Sequence, residues 1–198
     1  SDPPANTFRP HHDTIEVVSD PLPTANKWQA RRDWVMPLAA PSMCEIIEQQ
    51  KAARTSMGFF KPREVLDVIQ QEEPEKEWSV GDVAKLGQSD MFLTKEKKLL
   101  EKLPYRWRYR YTCSAPHCNG HTQTIIDWEL GQLYRSLKFK GVTDPDAIHE
   151  SVREKYLHQM CGPDKDTYFF TGNMAAHQGS FLVLGVFWPP VELQGQLF

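Results

Sequence analysis

The sequence predicts an α+β fold: a single domain with a mainly antiparallel sheet, a cysteine/histidine hairpin and two or three packed helices. Three patterns support this prediction. Side chains alternate with a period of two over residues 105–112, and apolar residues recur at helical spacing over 126–137. A continuous apolar run typical of a buried strand occupies 181–187. Because a chain of 198 residues buries roughly 70% of its unfolded surface, one core without disulfides is expected.

The chain is expected to divide into an arm and one domain. Residues 1–13 are polar and proline-rich without periodicity, which predicts an extended N-terminal arm. Residues 14–198 are predicted to form the single α+β domain, beginning with a short strand over 14–18. Within this domain, residues 71–102 are first acidic and then lysine-rich, so they are a candidate mobile surface segment.

The first half of the domain carries three weaker signals. Ser42 and Glu45 have capping-box spacing, which predicts a helix from Ser42. Residues 64–70 alternate charged and branched side chains and predict a strand. Ser79 with Asp82 suggests a second capped helix that continues to about Leu86.

The second half is predicted to run strand, strand, helix, helix, strand, strand. The first helix follows from the change of period after Asp127, and the second from Asp144 followed by a proline, which is tolerated at the first helical position. The predicted strands lie at 105–112, 122–126, 167–171 and 181–187.

Composition limits the class of protein. The formal net charge is −3, so the whole chain lacks the basic excess of a general nucleic-acid binder, and any such binding must come from a local patch. No run of about 18 apolar residues occurs, and the N-terminus lacks the apolar stretch of a signal peptide, so we expect no membrane partner and no export. Four cysteines are too few for a disulfide scaffold, which predicts a reducing, cytoplasmic location.

A cysteine/histidine cluster lies at the tip of the predicted hairpin. Cys113, Cys118 and His121 form C-x4-C-x2-H, and thiolates with imidazole are the ligands that zinc prefers. A structural zinc site needs a fourth ligand, for which Cys161 is favoured over His117 and His158 because it ends a helix at a Gly-Pro pair. Buried thiols or a disulfide between the two cysteines of the hairpin are the alternatives.

The strand at 105–112 carries arginines on one face and aromatic side chains on the other. With the preceding lysines, this basic segment is a candidate nucleic-acid site, because arginine forks match phosphate oxygens. Residues 64–77, which hold six acids, offer an alternative in which the two segments neutralise each other across neighbouring strands. The candidate contacts to DNA or RNA are Lys98, Lys102, Arg106, Arg108 and Arg110.

Asp127 and Glu129 are the candidate catalytic residues. They flank Trp128 just after the cysteine/histidine loop, where a carboxylate can hold a second cation or act as a general base. The preferred interpretation is that Asp127 caps the helix that follows, since acids favour the first turn. No phosphate-binding glycine loop, nucleophile elbow or H-E-x-x-H motif is present, so a non-enzymatic role is favoured.

Three functional hypotheses follow. The leading one is a zinc-stabilised binding protein that contacts nucleic acid through its basic strand. The second is a metal-dependent hydrolase or nuclease that uses Asp127 and Glu129 with His121. The third is a protein-interaction subunit of a complex, in which the proline-rich arm and the charged segments contact a protein partner.

Overall fold

The computed structural model describes residues 28–75, 77–81 and 101–191. The arm predicted at 1–13 and the strand predicted at 14–18 lie outside these residues, as do Lys98 and most of the helix predicted from Ser79.

The chain divides into two compact units, Ser1–Pro37 and Leu38–Phe198. In the first unit, the described residues form helix α1, Trp28–Val35. The second unit carries the α+β fold, and a short 3-10 helix, Met36–Leu38, spans the boundary. The boundary between the two units falls within the domain predicted over 14–198.

The described residues of the second unit form three complete α-helices and seven strands, with a π-helix directly after the last of these helices, and residues 80 and 81 are also helical. In chain order these are β1 (Ala39–Ala40), α2 (Met43–Ala53), β2 (Met57–Phe60), β3 (Glu64–Glu72), β4 (Tyr105–Thr112), β5 (His121–Thr124), α3 (Trp128–Phe139), α4 (Pro145–Arg153), the π-helix (Glu154–Gln159), β6 (Tyr168–Met174) and β7 (His177–Phe187).

The strands form two sheets. One has the order β1-β2-β6-β7, in which only the β1–β2 pair is parallel, and the other has the order β3-β4-β5 and is antiparallel throughout. A parallel bridge between Ile125 and Val183 connects the end of β5 to β7. The predicted α+β class with a mainly antiparallel sheet is confirmed, as is the order of elements in the second half of the chain.

The aromatic face of β4 lies at the centre of the core. Trp107, Tyr109 and Tyr111 are all buried, and the ring of Tyr109 stacks on that of Phe169 with centroids 4.6 Å apart. The hydroxyl of Tyr109 donates to the backbone carbonyl of Tyr156 in the π-helix at 2.7 Å, so its polar end is also satisfied. The arginines of β4 therefore occupy the opposite face of the sheet.

Polar side chains begin the helices where the sequence predicts them. The hydroxyl of Ser42 accepts from the backbone N–H of Glu45 at 3.1 Å and caps α2. The carboxylate of Asp127 accepts from the N–H of Glu129 at 2.9 Å and caps α3. Asp144 caps α4, and Pro145 occupies its first turn.

Helix α2 packs closely against strand β2 because position 58 is a glycine. A Cβ atom at Gly58 would lie 2.5 Å from Cδ1 of Ile46, a distance that real Cβ contacts do not show. Ile46 is buried beneath this strand. The contact fixes the helix whose first turn carries Cys44.

None of the helices in the described part of the chain is both long enough and apolar enough to cross a bilayer.

Candidate metal centre

Three thiols and one imidazole converge between helix α2 and the β4–β5 hairpin. Cys44 lies in the first turn of α2, Cys113 directly follows β4, and His121 begins β5. Cys118 lies in the connection between these strands, where its N–H donates to the carbonyl of Ala115 at 3.1 Å. Cys44, Cys113, Cys118 and His121 are called the Cys3His group below.

The ligand atoms of the Cys3His group all lie within 4.8 Å of one another. The sulfur of Cys113 is 3.6 Å from that of Cys44 and 3.4 Å from Nε2 of His121. Nε2 of His121 is also 3.6 Å from the sulfur of Cys44. Four side chains of this kind at these separations can hold one metal ion.

Backbone groups of the hairpin support the sulfur of Cys118. The N–H groups of Cys113 and Gly120 donate to this sulfur at 3.3 and 3.4 Å, which fixes its position beside the other members of the group. Gly120 has φ of +93°, a conformation that other residues adopt only with strain. The hydroxyl of Ser114 donates to the carbonyl of Pro41 at 2.6 Å and ties the same loop to the start of α2.

The thiols of the group differ in acidity. Burial by itself would raise the pKa of Cys113. Hydrogen bonds from the backbone of Ala115 and Cys44 and from the side chain of His121 outweigh this effect of burial and lower the pKa of the thiol to about 6. Burial and then the neighbouring sulfur of Cys113 raise the pKa of Cys44 to about 12. The surroundings of Cys113 thus favour its thiolate, whereas those of Cys44 favour its neutral thiol.

The predicted ligands fall into two locations. Cys113, Cys118 and His121 lie together, but the fourth member of the group is Cys44 and not Cys161. Cys161 instead donates to the carbonyl of Tyr156 at 3.2 Å, and burial raises the pKa of its thiol to about 12.

The other two candidates for the fourth ligand, His117 and His158, are exposed and stand outside the group. All four cysteines are free, so the disulfide considered for the hairpin is not formed.

Cys44 could not be chosen from the sequence, because 69 residues separate it from Cys113 and it has no histidine or cysteine nearby. The available signal was its place in the first turn of a capped helix, where the helix dipole favours a thiolate.

Two of the predicted nucleic-acid contacts are engaged within the protein. The guanidinium of Arg106 forms a bidentate pair with the buried carboxylate of Glu73, with Nη2 to Oε1 at 2.8 Å. Burial alone would raise the pKa of Glu73, but the Arg106 guanidinium holds it below its usual range. Nζ of Lys102 lies 3.4 Å from Oε2 of Glu75, which is a second ion pair. For Arg106 and Lys102, the structure thus has the internal ion pairs that the sequence offered as the alternative.

Arg108 and Arg110 are different. Neither has a carboxylate within ion-pair distance among the residues that the structure describes. Across the sheet they pair with Thr124 and Thr122 of β5, whose side chains add hydroxyl groups to the same surface. The surface formed by Arg106, Arg108 and Arg110 is called the arginine face below.

Asp127 and Glu129 lie outside the Cys3His group, which is the one such group found in the described ranges. Asp127 is occupied as the cap of α3, and burial raises the pKa of its carboxyl. Glu129 is exposed in the first turn of the same helix. The capping interpretation of Asp127 agrees with this geometry.

Together, the fold and the Cys3His group define an α+β domain with a candidate metal centre at one end of a hairpin. The chain belongs to the family described as Domain of unknown function (DUF8757), whose model matches residues 39–198. No curated protein and no solved structure matches the chain.

Proposed function

We propose that this domain is a zinc-stabilised nucleic-acid-binding protein, in which the metal holds the β4–β5 hairpin to α2 and the arginine face of the same sheet contacts phosphates. The convergence of the Cys3His group is the observation that carries the proposal. Its four members come from a helix, a strand end, a loop and a second strand, so a bound ion cross-links all four segments.

Zinc fits the donor set better than other common metals. Thiolate and imidazole ligands favour zinc, whereas calcium and magnesium require oxygen ligands. A tetrahedral zinc ion with its usual bond lengths separates two sulfurs by about 3.8 Å and a sulfur from a nitrogen by about 3.6 Å. The separations among Cys44, Cys113 and His121 are 3.4 to 3.6 Å, close to those values. Four protein ligands leave no open position, which is typical of structural zinc sites.

The arginine face supports the nucleic-acid part of the proposal. Arg110 is exposed and Arg108 is half-buried, and neither forms an ion pair among the described residues, since Asp67, the cross-strand partner of Arg110 on β3, pairs with Arg153. Two guanidinium groups that alternate along one strand match the repeating phosphates of an extended backbone. Arg106, which is neutralised by Glu73, is not expected to contribute to binding.

The metal and the arginine face are connected through the hairpin. Arg110 pairs with Thr122 in the register that also pairs Tyr111 with His121, so the strand that carries the arginines ends at the metal ligands. Removing the ion is expected to loosen this register and to weaken nucleic-acid binding.

The test is a charge-reversal experiment on the intact protein. Binding of fluorescent single- and double-stranded oligonucleotides is measured by anisotropy at several salt concentrations for wild type and for the Arg108→Glu/Arg110→Glu variant. The control variant, Lys51→Glu/Lys140→Glu, has the same net charge as the arginine variant, but its two substitutions lie at exposed positions near helix ends.

We expect the arginine variant to bind at least about tenfold more weakly, with a smaller salt slope, while the control keeps the slope of wild type. Equal weakening in both variants would attribute binding to net charge alone. No binding by wild type would reject the nucleic-acid part of the proposal.

A further inference from the structure

A cavity lies beside the arginine face. Its volume is about 460 Å³, within the range of roughly 300 to 1,000 Å³ typical of sites for small ligands. Its wall is rich in aromatic rings, contributed by the segment before β4, by β4 itself and by the start of α3. These rings are Trp78, Tyr105, Trp107 and Trp128.

The mouth of this cavity exposes large apolar side chains. Trp128 is 62% exposed, Ile126 52% and Trp78 41%, and all three line the same cavity. Single exposed apolar residues are common, but several around one concave site indicate a binding surface. A flat ligand can therefore cover aromatic surface that the described residues leave open to water.

One cation at the cavity has no ion pair with any described residue. The guanidinium of Arg135 lies over the ring of Trp128, 5.9 Å from the centroid, and its Nη2 donates to the backbone carbonyl of Glu101 at 3.0 Å. In the described part of the chain no carboxylate forms an ion pair with Arg135. The carboxylate of Glu101 pairs instead with Lys138 at 2.5 Å. The cavity thus combines an exposed ring with a positive charge available to an anionic ligand.

The cavity is continuous with the arginine face. Arg106 and Thr124 belong to the cavity wall, and Thr124 is also the direct cross-strand partner of Arg108. The cavity therefore lies next to Arg108 at the end of the sheet, where Tyr105 and Trp107 of the opposite face also line it.

We propose that this cavity takes one unstacked nucleobase of a single-stranded nucleic acid, with the base on Trp128 and a phosphate near Arg135. This inference rests on the proposed function and specifies its ligand as single-stranded. Every base offers an aromatic face for stacking, and in a duplex that face is hidden. A cation next to a stacking ring suits the phosphate that follows the base. The positive charge of Arg135 favours this ligand over an apolar or proline-rich peptide, which would use the rings alone.

The experiment compares three substitutions on helix α3. Trp128→Ala removes the stacking ring, Trp128→Phe keeps a ring, and Phe139→Ala removes a side chain that is 94% exposed on the same helix but does not line the cavity. Affinity for a fluorescent single-stranded 12-mer and for the duplex of the same sequence is measured for each variant and for wild type, as the folded full-length chain.

We expect wild type to prefer the single strand. Trp128→Ala is expected to lower single-strand affinity about tenfold, to leave duplex affinity and the salt slope unchanged, and to be largely rescued by Trp128→Phe. Phe139→Ala is expected to match wild type. Equal single-strand affinity for Trp128→Ala and wild type would overturn the inference while leaving the arginine-face proposal intact.

A second measurement tests the cavity without the polymer. Nucleoside monophosphates are titrated against wild type and Trp128→Phe, with tryptophan fluorescence as the readout. Saturable quenching that is reduced in Trp128→Phe supports a base-binding cavity. If this quenching occurs but neither polymer binds, only the proposed function fails. Two results overturn the inference. In one, no nucleotide quenches the fluorescence of wild type and wild type binds neither polymer. In the other, a proline-rich peptide quenches the fluorescence and nucleotides do not.

Discussion

The thiol sulfur of Cys113 lies 3.6 Å from that of Cys44, although 69 residues separate the two cysteines. The contact joins the end of β4 to the first turn of α2, two elements that belong to different parts of the fold. A metal bound there would stabilise the folded state by mass action, because the unfolded chain does not hold the ligands together.

The first prediction concerns the fourth ligand. Cys44→Ser is expected to remove the bound metal and to lower the free energy of unfolding by at least about 2 kcal/mol, because the stabilisation from metal binding is lost. Cys161→Ser is the matched control and should retain the metal, because this thiol contacts the carbonyl of Tyr156 and the hydroxyl of Tyr109 and is not a member of the Cys3His group. Metal content by elemental analysis and urea unfolding check both. Metal loss in Cys161→Ser with retention in Cys44→Ser would reverse the assignment.

The second prediction concerns the glycine beside the metal ligands. Gly120 and Gly141 both have positive φ, +93° and +83°. Alanine at either position should cost on the order of 1 kcal/mol in unfolding free energy because of backbone strain. Only Gly120→Ala is expected to release metal to a weaker chelator, since strain at this position displaces an N–H that donates to Cys118, whereas the N–H of Gly141 donates to the carbonyl of Lys138. Equal chelator sensitivity in the two variants would show that the glycine does not support the metal centre.

The third prediction is a pH dependence at the ion pair of Arg106 and Glu73. Because the folded-state pKa of Glu73 is lowered, its stabilising contribution is present above the unfolded pKa of about 4.3 and is lost as pH falls through the folded value. Arg106→Gln should therefore lower the free energy of unfolding by about 1 to 2 kcal/mol at pH 7 and by much less near pH 3. The value at pH 7 lies between those typical of exposed and of buried ion pairs. Urea unfolding at both pH values measures the difference. A cost that stays constant with pH would contradict the ion-pair account.

The fourth prediction separates capping from chemistry at Asp127. Asn caps helices about as well as Asp, so Asp127→Asn should leave stability nearly unchanged, whereas Asp127→Ala should cost on the order of 1 kcal/mol. Because burial raises the pKa of this carboxyl, the charged form is disfavoured in the folded state and the neutral Asn is not penalised. Thermal unfolding compares the two variants. Loss of a metal-dependent cleavage activity in a stable Asp127→Asn protein would instead assign the carboxylate to catalysis.

Local signals account for what the sequence predicted of the fold. The predicted bounds of β4 agree with the structure because its alternation is uninterrupted. Helices α2, α3 and α4 each begin directly after a capping residue, Ser42, Asp127 and Asp144 respectively. Strand β2, with only four residues, has too short a pattern to be found by periodicity. The apolar stripe predicted from Asp144 continues through Tyr156, and its spacing does not distinguish the π-helix after Arg153 from a continued α-helix.

The candidate site was predictable only in its local part. The spacing of Cys113, Cys118 and His121 placed three members of the Cys3His group on one hairpin. The fourth arrives from α2 through the packing of Ile46 on Gly58, a tertiary contact that no local pattern encodes. Similarly, alternation predicted one arginine face, but only the tertiary structure separates Arg106, which is paired with Glu73, from Arg108 and Arg110.

The most direct test of the central claim is the metal content of the protein purified without added metal, measured by elemental analysis beside native mass spectrometry. The account predicts about one zinc per chain in the wild type and in Cys161→Ser, and none in Cys44→Ser. Metal-free wild-type protein that is fully folded and gains no stability when zinc is added would contradict it.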